Sequence, residues 1–292
     1  MADVSVSVVV DEPAALGEGP IWADDALLWV DIEGKAVFRY DPRTGDNPAW
    51  FLEEKPGTVV PTEDPDRVAV AVESGFGLLD LSEGVFHQEA TCEAEATDLR
   101  FNDGKVSPLG DLWCGSLGTR NGQPAGAFYR WRRGARPEKL FDGVACSNGL
   151  AWDADRNRFY YIDTPTGRVD VFDYHAATGA IANRRPFVEI GPDGGGPDGM
   201  TLDADGHLWV AFWGGGCVRR FSAEDGSLLQ QIDLPAKRVT ACAFGGGDLR
   251  DLYITTARVG GDDASAETEP RAGCLFVCRP GVAGRPADRL RL

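Results

Sequence analysis

Four oxygen-bearing side chains occupy matching places along the chain: Glu18 in EGPIWADDALLW, Asn102 in NDGKVSPLGDLW, Asn148 in NGLAWDADRNRFYY and Asp198 in DGMTLDADGHLW. Glu18 to Trp29, Asn102 to Trp113 and Asp198 to Trp209 each span 11 residues, and Asn148 reaches Tyr161 in 13. Carboxylates and amide carbonyls together form an all-oxygen shell, the donor set that hard divalent cations prefer. A site with few protein ligands leaves positions for water and substrate, as catalysis requires. Singly, Asn-Asp-Gly, Asn-Gly and Pro-Asp-Gly are ordinary turn formers. Turn chemistry does not explain the glutamate in the first slot, nor the shared offset to an apolar run.

The elements that must position these groups repeat. Six short apolar cores, LLWVDI, RVAVAV, DLWCGS, FYYIDT, HLWVAF and DLYITT, align on Trp29, Ala69, Trp113, Tyr161, Trp209 and Tyr253, in steps of 40, 44, 48, 48 and 44 residues. Each is followed by a second alternating run that ends in a Gly- or Asp-bearing turn, which reads as strands joined by tight turns. A period of 40–50 residues holding several strands and no helix marks a β-propeller blade. The expected fold is therefore all-β, a six-bladed β-propeller spanning residues 1–292 as one domain. The valine-rich VSVSVVV start is expected to pair with the last strands and close the ring, since an open ring leaves a long unpaired edge. The stretch VGGDDASAETEPRAG is expected to be a loop of blade six. First strands line a propeller's channel, so the four polar residues of blades one, three, four and five converge on its axis. The second and sixth repeats show no acidic or amide counterpart.

Composition narrows the chemistry. The chain has 292 residues with 37 glycines, 18 prolines and a net charge of −17. That charge repels phosphate backbones and anionic lipid, which argues against nucleic-acid or membrane partners. No apolar stretch approaches a membrane span, and the N-terminus lacks the basic n-region of a signal peptide. Seven scattered cysteines, without a CxxC pair, read as reduced structural thiols of a cytoplasmic protein. His87, His175 and His207 lie far apart, which disfavours a structural zinc site. There is no G-x-S-x-G elbow for a serine hydrolase and no dinucleotide-binding glycine loop.

The motifs LGEGPIW, RFNDGKV, SNGLAWD, PDGM…GHLWVA and FGGGDLRDLYITTAR, in this order and spacing, resemble the regucalcin/gluconolactonase family, also called senescence marker proteins. The resemblance covers essentially the whole chain. It implies a six-bladed propeller with one divalent metal in the central channel, Ca²⁺ foremost, with Zn²⁺, Mn²⁺, Mg²⁺ and Fe²⁺ as alternatives. It assigns metal ligation to Glu18, Asn148 and Asp198, and places Arg100, Asn102 and Asp103 near the substrate or the metal's waters. Residues two apart on a strand share a face, so Arg100 and Asn102 can both reach the channel, while Asp103 points away unless the strand is bulged. One departure concerns Arg120 of GTRNGQ, where at least one family member has an acidic residue in the substrate lid.

The expected activity is metal-dependent hydrolysis of a sugar lactone to the aldonic acid by a monomer. Asp198 is the expected general base and Asp103 the fallback, with Arg100 and Asn102 orienting sugar hydroxyls. The alternatives are a calcium-binding regulatory propeller without catalysis and a metal-dependent phosphotriesterase.

Overall fold

Runs rich in Val, Ile, Phe, Tyr and Trp, broken at short intervals by Gly, Asp and Asn, favour strands over helices. The computed structural model describes residues 4–92, 99–120, 123–191, 194–259 and 269–292, apart from the side chains of 119 and 120. The one helical element lying wholly within the described residues is a 3-10 turn, Thr164–Thr166. No described helix is long and apolar enough to cross a membrane.

The strands form six four-stranded antiparallel blades. The N-terminal β1 (Val6–Val10) precedes blade one, made of β2 (Gly17–Ala23), β3 (Ala26–Asp31), β4 (Ala36–Tyr40) and β5 (Ala49–Phe51). Blade two holds β6 (Pro56–Pro61), β7 (Arg67–Val72), β8 (Gly75–Asp80) and β9 (Val85–Thr91). Blade three holds β10 (Arg100–Val106), β11 (Leu112–Leu117), β14 (Gly126–Trp131) and β15 (Glu138–Val144), with a small hairpin of β12 (Thr119–Arg120) and β13 (Gln123–Pro124). Blade four holds β16 (Ser147–Asp153), β17 (Arg158–Asp163), β18 (Arg168–His175) and β19 (Ala180–Glu189). Blade five holds β20 (Gly196–Leu202), β21 (Leu208–Trp213), β22 (Cys217–Phe221) and β23 (Leu228–Asp233). Blade six holds β24 (Val239–Gly245), β25 (Asp251–Thr256) and β26 (Leu275–Cys278), and takes β1 as its outermost strand. The expected six-bladed propeller and its closure by the valine-rich segment are both observed. Residues 260–268 of the expected blade-six loop lie outside the described residues.

Blades join face to face through aromatic seams, which bury large apolar areas with specific ring geometry. Phe76 stacks on Trp131 at 5.4 Å between blades two and three. Trp113 meets Trp152 edge-on at 5.4 Å between blades three and four. Trp209 meets Phe244 between blades five and six, and Trp22 stacks on Tyr253 between blades one and six.

The innermost strands β2, β6, β10, β16, β20 and β24 neighbour one another around the axis. Each carries one irregularity in its ladder, where an extra residue is inserted opposite its partner. Glycines at this level let the strands close to a narrow ring. A Cβ on Gly57 would lie 2.5 Å from the Phe101 backbone, and one on Gly199 would lie 2.4 Å from the Ala241 Cβ.

Residues 283–291 form an extended strap over the end of the channel where the innermost strands finish. Ala204 donates to the Ala283 carbonyl at 2.8 Å, and Gly284 to Leu249 at 2.7 Å. Arg285 pairs with Asp155 at 3.3 Å and Arg289 with Asp24 at 2.8 Å. Leu290 donates to Pro61 at 3.0 Å and Arg291 to Gly110 at 3.2 Å. These anchors fall on blades five, six, four, one, two and three, so one segment touches the whole ring.

Candidate functional site

The opposite end of the channel gathers the polar residues singled out by spacing. Glu18 stands on β2, Asn102 and Asp103 on β10, Asn148 on β16 and Asp198 on β20, each 4 or 5% exposed. Arg100, half-buried, begins β10.

Asp103 faces inward for a local reason. The β10–β11 ladder pairs Phe101 with Ser116 and then Gly104 with Cys114, so Asn102 and Asp103 together occupy a bulge. A bulge breaks strict alternation and re-aims side chains. Asn102 and its neighbour are therefore both buried at the axis, where a regular strand would have sent one of them away.

A hydrogen-bonded chain ties three blades together here. Arg100 Nη1 donates to Asn102 Oδ1 at 2.7 Å. Asn102 Nδ2 donates to the Ser147 carbonyl at 2.7 Å and to Asn148 Oδ1 at 3.1 Å. Asn148 Nδ2 donates to Thr164 Oγ1 at 2.8 Å, and that hydroxyl donates to the Pro197 carbonyl at 2.8 Å. The approach to Asn148 is held by Asp163, which accepts from the Ala145 and Cys146 amides at 3.2 and 2.8 Å. The spacing pattern had no means of finding Thr164, because it belongs to the 3-10 turn after β17 and not to an innermost strand.

The electrostatics are those of crowded, dehydrated acids. Burial, reinforced by the Asp103 charge, pushes the Glu18 carboxyl up to about 8, although the Gly19 amide and Arg100 work against it. Burial, then Glu18 and Asp103, hold the Asp198 carboxyl well above its ordinary range, with Arg100 opposing. Asp103 is also raised by burial, against the pull of Lys105. Lys105 is lowered by burial and donates to the Met200 carbonyl deeper in the channel. Asp198 Oδ1 is buried and has no hydrogen-bond partner among the described residues. Leaving a buried carboxylate oxygen unpaired is costly. A divalent cation among Glu18, Asn148 and Asp198 satisfies that oxygen and offsets the clustered negative charge, so the residues present fit a hard metal ion.

The remaining blades contribute hydroxyls in place of acids. Thr58 on β6 donates to the Gly104 carbonyl at 3.0 Å, and Thr240 on β24 donates to the Gly17 carbonyl at 2.6 Å. These threonines knit neighbouring innermost strands, in keeping with the missing acidic counterparts in repeats two and six. The side chain of Arg120 lies outside the described residues. No disulfide joins any of the seven cysteines, and five of them are buried.

Comparison with known proteins identifies the family of the chain. Residues 16–258 match the family described as SMP-30/Gluconolactonase/LRE-like region. Regucalcin of Danio rerio is 38% identical over 294 residues, covering 98% of each chain. Pentonolactonase XacC of Haloferax volcanii is 36% identical over 300 residues, again 98% of each. A crystal structure of a calcium-binding protein, regucalcin, from Agrobacterium tumefaciens superposes over 100% of both chains with a TM-score of 0.94 at 29% identity. The chain belongs to the SMP-30/gluconolactonase/LRE-like family.

Proposed function

We propose that the protein hydrolyses a sugar lactone with the help of one divalent cation held by Glu18, Asn148 and Asp198, calcium being the first candidate. The observation that carries this reading is the unpartnered Asp198 Oδ1, buried beside two further carboxylates and an amide oxygen on the channel axis. The names of relatives, a pentonolactonase among them, support the substrate class.

A bound cation would polarise the lactone carbonyl and stabilise the negative charge that develops on it. The chain's own residues account for the rest. Asp198 takes a proton from the attacking water as the new carbon–oxygen bond forms. When the ring carbon–oxygen bond breaks, that proton passes to the departing ring oxygen, leaving a hydroxyl and a carboxylic acid. Arg100, with donors left beyond its bond to Asn102, binds sugar oxygens. Both ends of the Asn102 amide are already engaged, so Asn102 orients Arg100 and Asn148 in addition to facing the substrate. Asp103 lies close enough to Glu18 and Asp198 to influence both, and serves as the alternative base.

A pH-stat assay of five- and six-carbon aldonolactones, with and without chelator and with each divalent cation, tests the reading. Cation-dependent acid release is expected. Saturable calcium binding with no acid release from any lactone would favour a regulatory propeller, which the name of the calcium-binding structural relative also fits. Faster turnover of a phosphotriester than of any lactone would move the activity to that bond.

A further inference from the structure

Beneath the strap, at the end of the channel remote from the carboxylates, lies a pocket of about 320 Å³. Its volume falls at the small end of the range for ligand sites. Trp22, Trp152 and Phe244, from the ends of three innermost strands, supply aromatic walls, and Pro286 and Ala287 of the strap lie over them. Between this pocket and the carboxylate cluster lies a small space of about 10 Å³, lined by Asp103, Lys105, Met200 and Cys242.

The charges around this pocket are unequal in how they are satisfied. Arg285 is paired with Asp153 and Asp155 at 3.8 and 3.3 Å. Lys105 donates to the Met200 carbonyl and feels the Asp103 carboxylate. Asp288, exposed at the rim on the strap, has no ion pair and no hydrogen bond among the described residues, and partial burial against the protein raises its carboxyl. The Trp152 indole N–H is buried, likewise without an acceptor. The charge without a protein partner is negative, and it stands at the mouth of a pocket walled by aromatic side chains, whose faces attract cations.

We propose that this pocket binds a small organic ammonium ion carried on an apolar body, with the ammonium at Asp288 and the body against Trp22, Trp152 and Phe244. The site is distinct from the proposed lactone site and does not depend on that activity.

The test uses the full chain with saturating calcium and 2-phenylethylammonium as probe, followed by calorimetry and by tryptophan fluorescence. One saturable site per chain is expected, about tenfold tighter for the ammonium than for neutral 2-phenylethanol, and weakest for phenylacetate. Asp288→Asn is expected to erase the preference for the ammonium, and Ala287→Trp to abolish binding by filling the pocket. Both substitutions fall on the strap and leave the blades untouched. The proposal is overturned by no saturable binding up to about 10 mM, by phenylacetate binding as tightly as the ammonium, or by an Asp288→Asn protein that retains the preference. Displacement of the probe by calcium overturns it too, because that would put the amine among the channel carboxylates.

Discussion

The Asn102 side-chain amide donates to Oδ1 of Asn148 at 3.1 Å, so a residue of blade three fixes the orientation of a proposed metal ligand in blade four. The ligand oxygen is thereby held on the channel side, while the Asn148 nitrogen is occupied by Thr164. Support of this kind around a first ring of ligands sets their orientation as much as their identity does.

The two kinds of residue are expected to separate in a calcium titration. Glu18→Gln removes a ligand charge and should weaken calcium at least about tenfold. Asn102→Ala only releases Asn148 and should weaken it less, while raising KM for the lactone; second-ring changes commonly cost about 10–100-fold in affinity or activity. Isothermal titration with lactone kinetics checks both, and equal losses of calcium affinity would show that Asn102 is itself a ligand.

Asp198→Asn separates ligation from proton transfer. An amide keeps an oxygen in nearly the same place but does not take a proton from water. With Asp198 as the base, turnover should fall by roughly 10²–10⁴ even when the cation is saturating, the usual contribution of general base catalysis. Recovery to near the original rate in excess metal, with occupancy measured separately, would transfer the role to Asp103.

Glu18 links the cation to pH. In the cation-free fold its carboxyl stays protonated up to about 8, whereas its ordinary value is 4.5. As pH rises the unfolded chain gives up this proton first, so the cation-free fold loses stability between pH 4.5 and about 8. Cation binding favours the carboxylate and must expel the proton. Calcium should therefore raise Tm more at about pH 8 than at about pH 5.5, and its addition at about pH 6.5 should acidify an unbuffered solution. A calcium response independent of pH would contradict the raised Glu18 carboxyl.

Gly199→Ala probes the tightness of the inner ring. The new methyl would sit 2.4 Å from the Ala241 Cβ and 2.7 Å from its Cα. Overpacking of this kind costs about 1–3 kcal/mol, measurable by denaturant unfolding. Adding Ala241→Gly should return part of the loss. If the single variant is as stable as the parent, the innermost strands have more room than the ring implies.

Much of this was legible because it is periodic. Aromatic residues recur in the second strands, and Glu18, Asn102, Asn148 and Asp198 come at nearly fixed distances ahead of them. The fixed distance was nevertheless partly fortuitous. Three residues past the polar position, Lys105 faces Trp113 and Thr201 faces Trp209, yet Ile21 faces Leu28 and not Trp29. The first hairpin closes on Asp24 and Asp25, both at positive φ, after the pair Ala23–Ala26, and that shorter turn moves the ladder by one. The inward Asp103 was legible only as a condition, because a bulge depends on the partner strand and not on local alternation. The strap was not legible at all. GVAGRPADRLRL alternates like no strand, and its anchors are backbone groups and carboxylates scattered over all six blades, from Leu249 back to Asp24.

Between the channel carboxylates and the pocket beneath the strap, the open space around Lys105 shrinks to about 10 Å³. Space for about one water remains there, and no sugar can cross it. A lactone bound at the carboxylates, as proposed, would therefore come and go by the end of the channel remote from the strap. On the proposed lactone reading, departing acid and incoming substrate would then share one doorway.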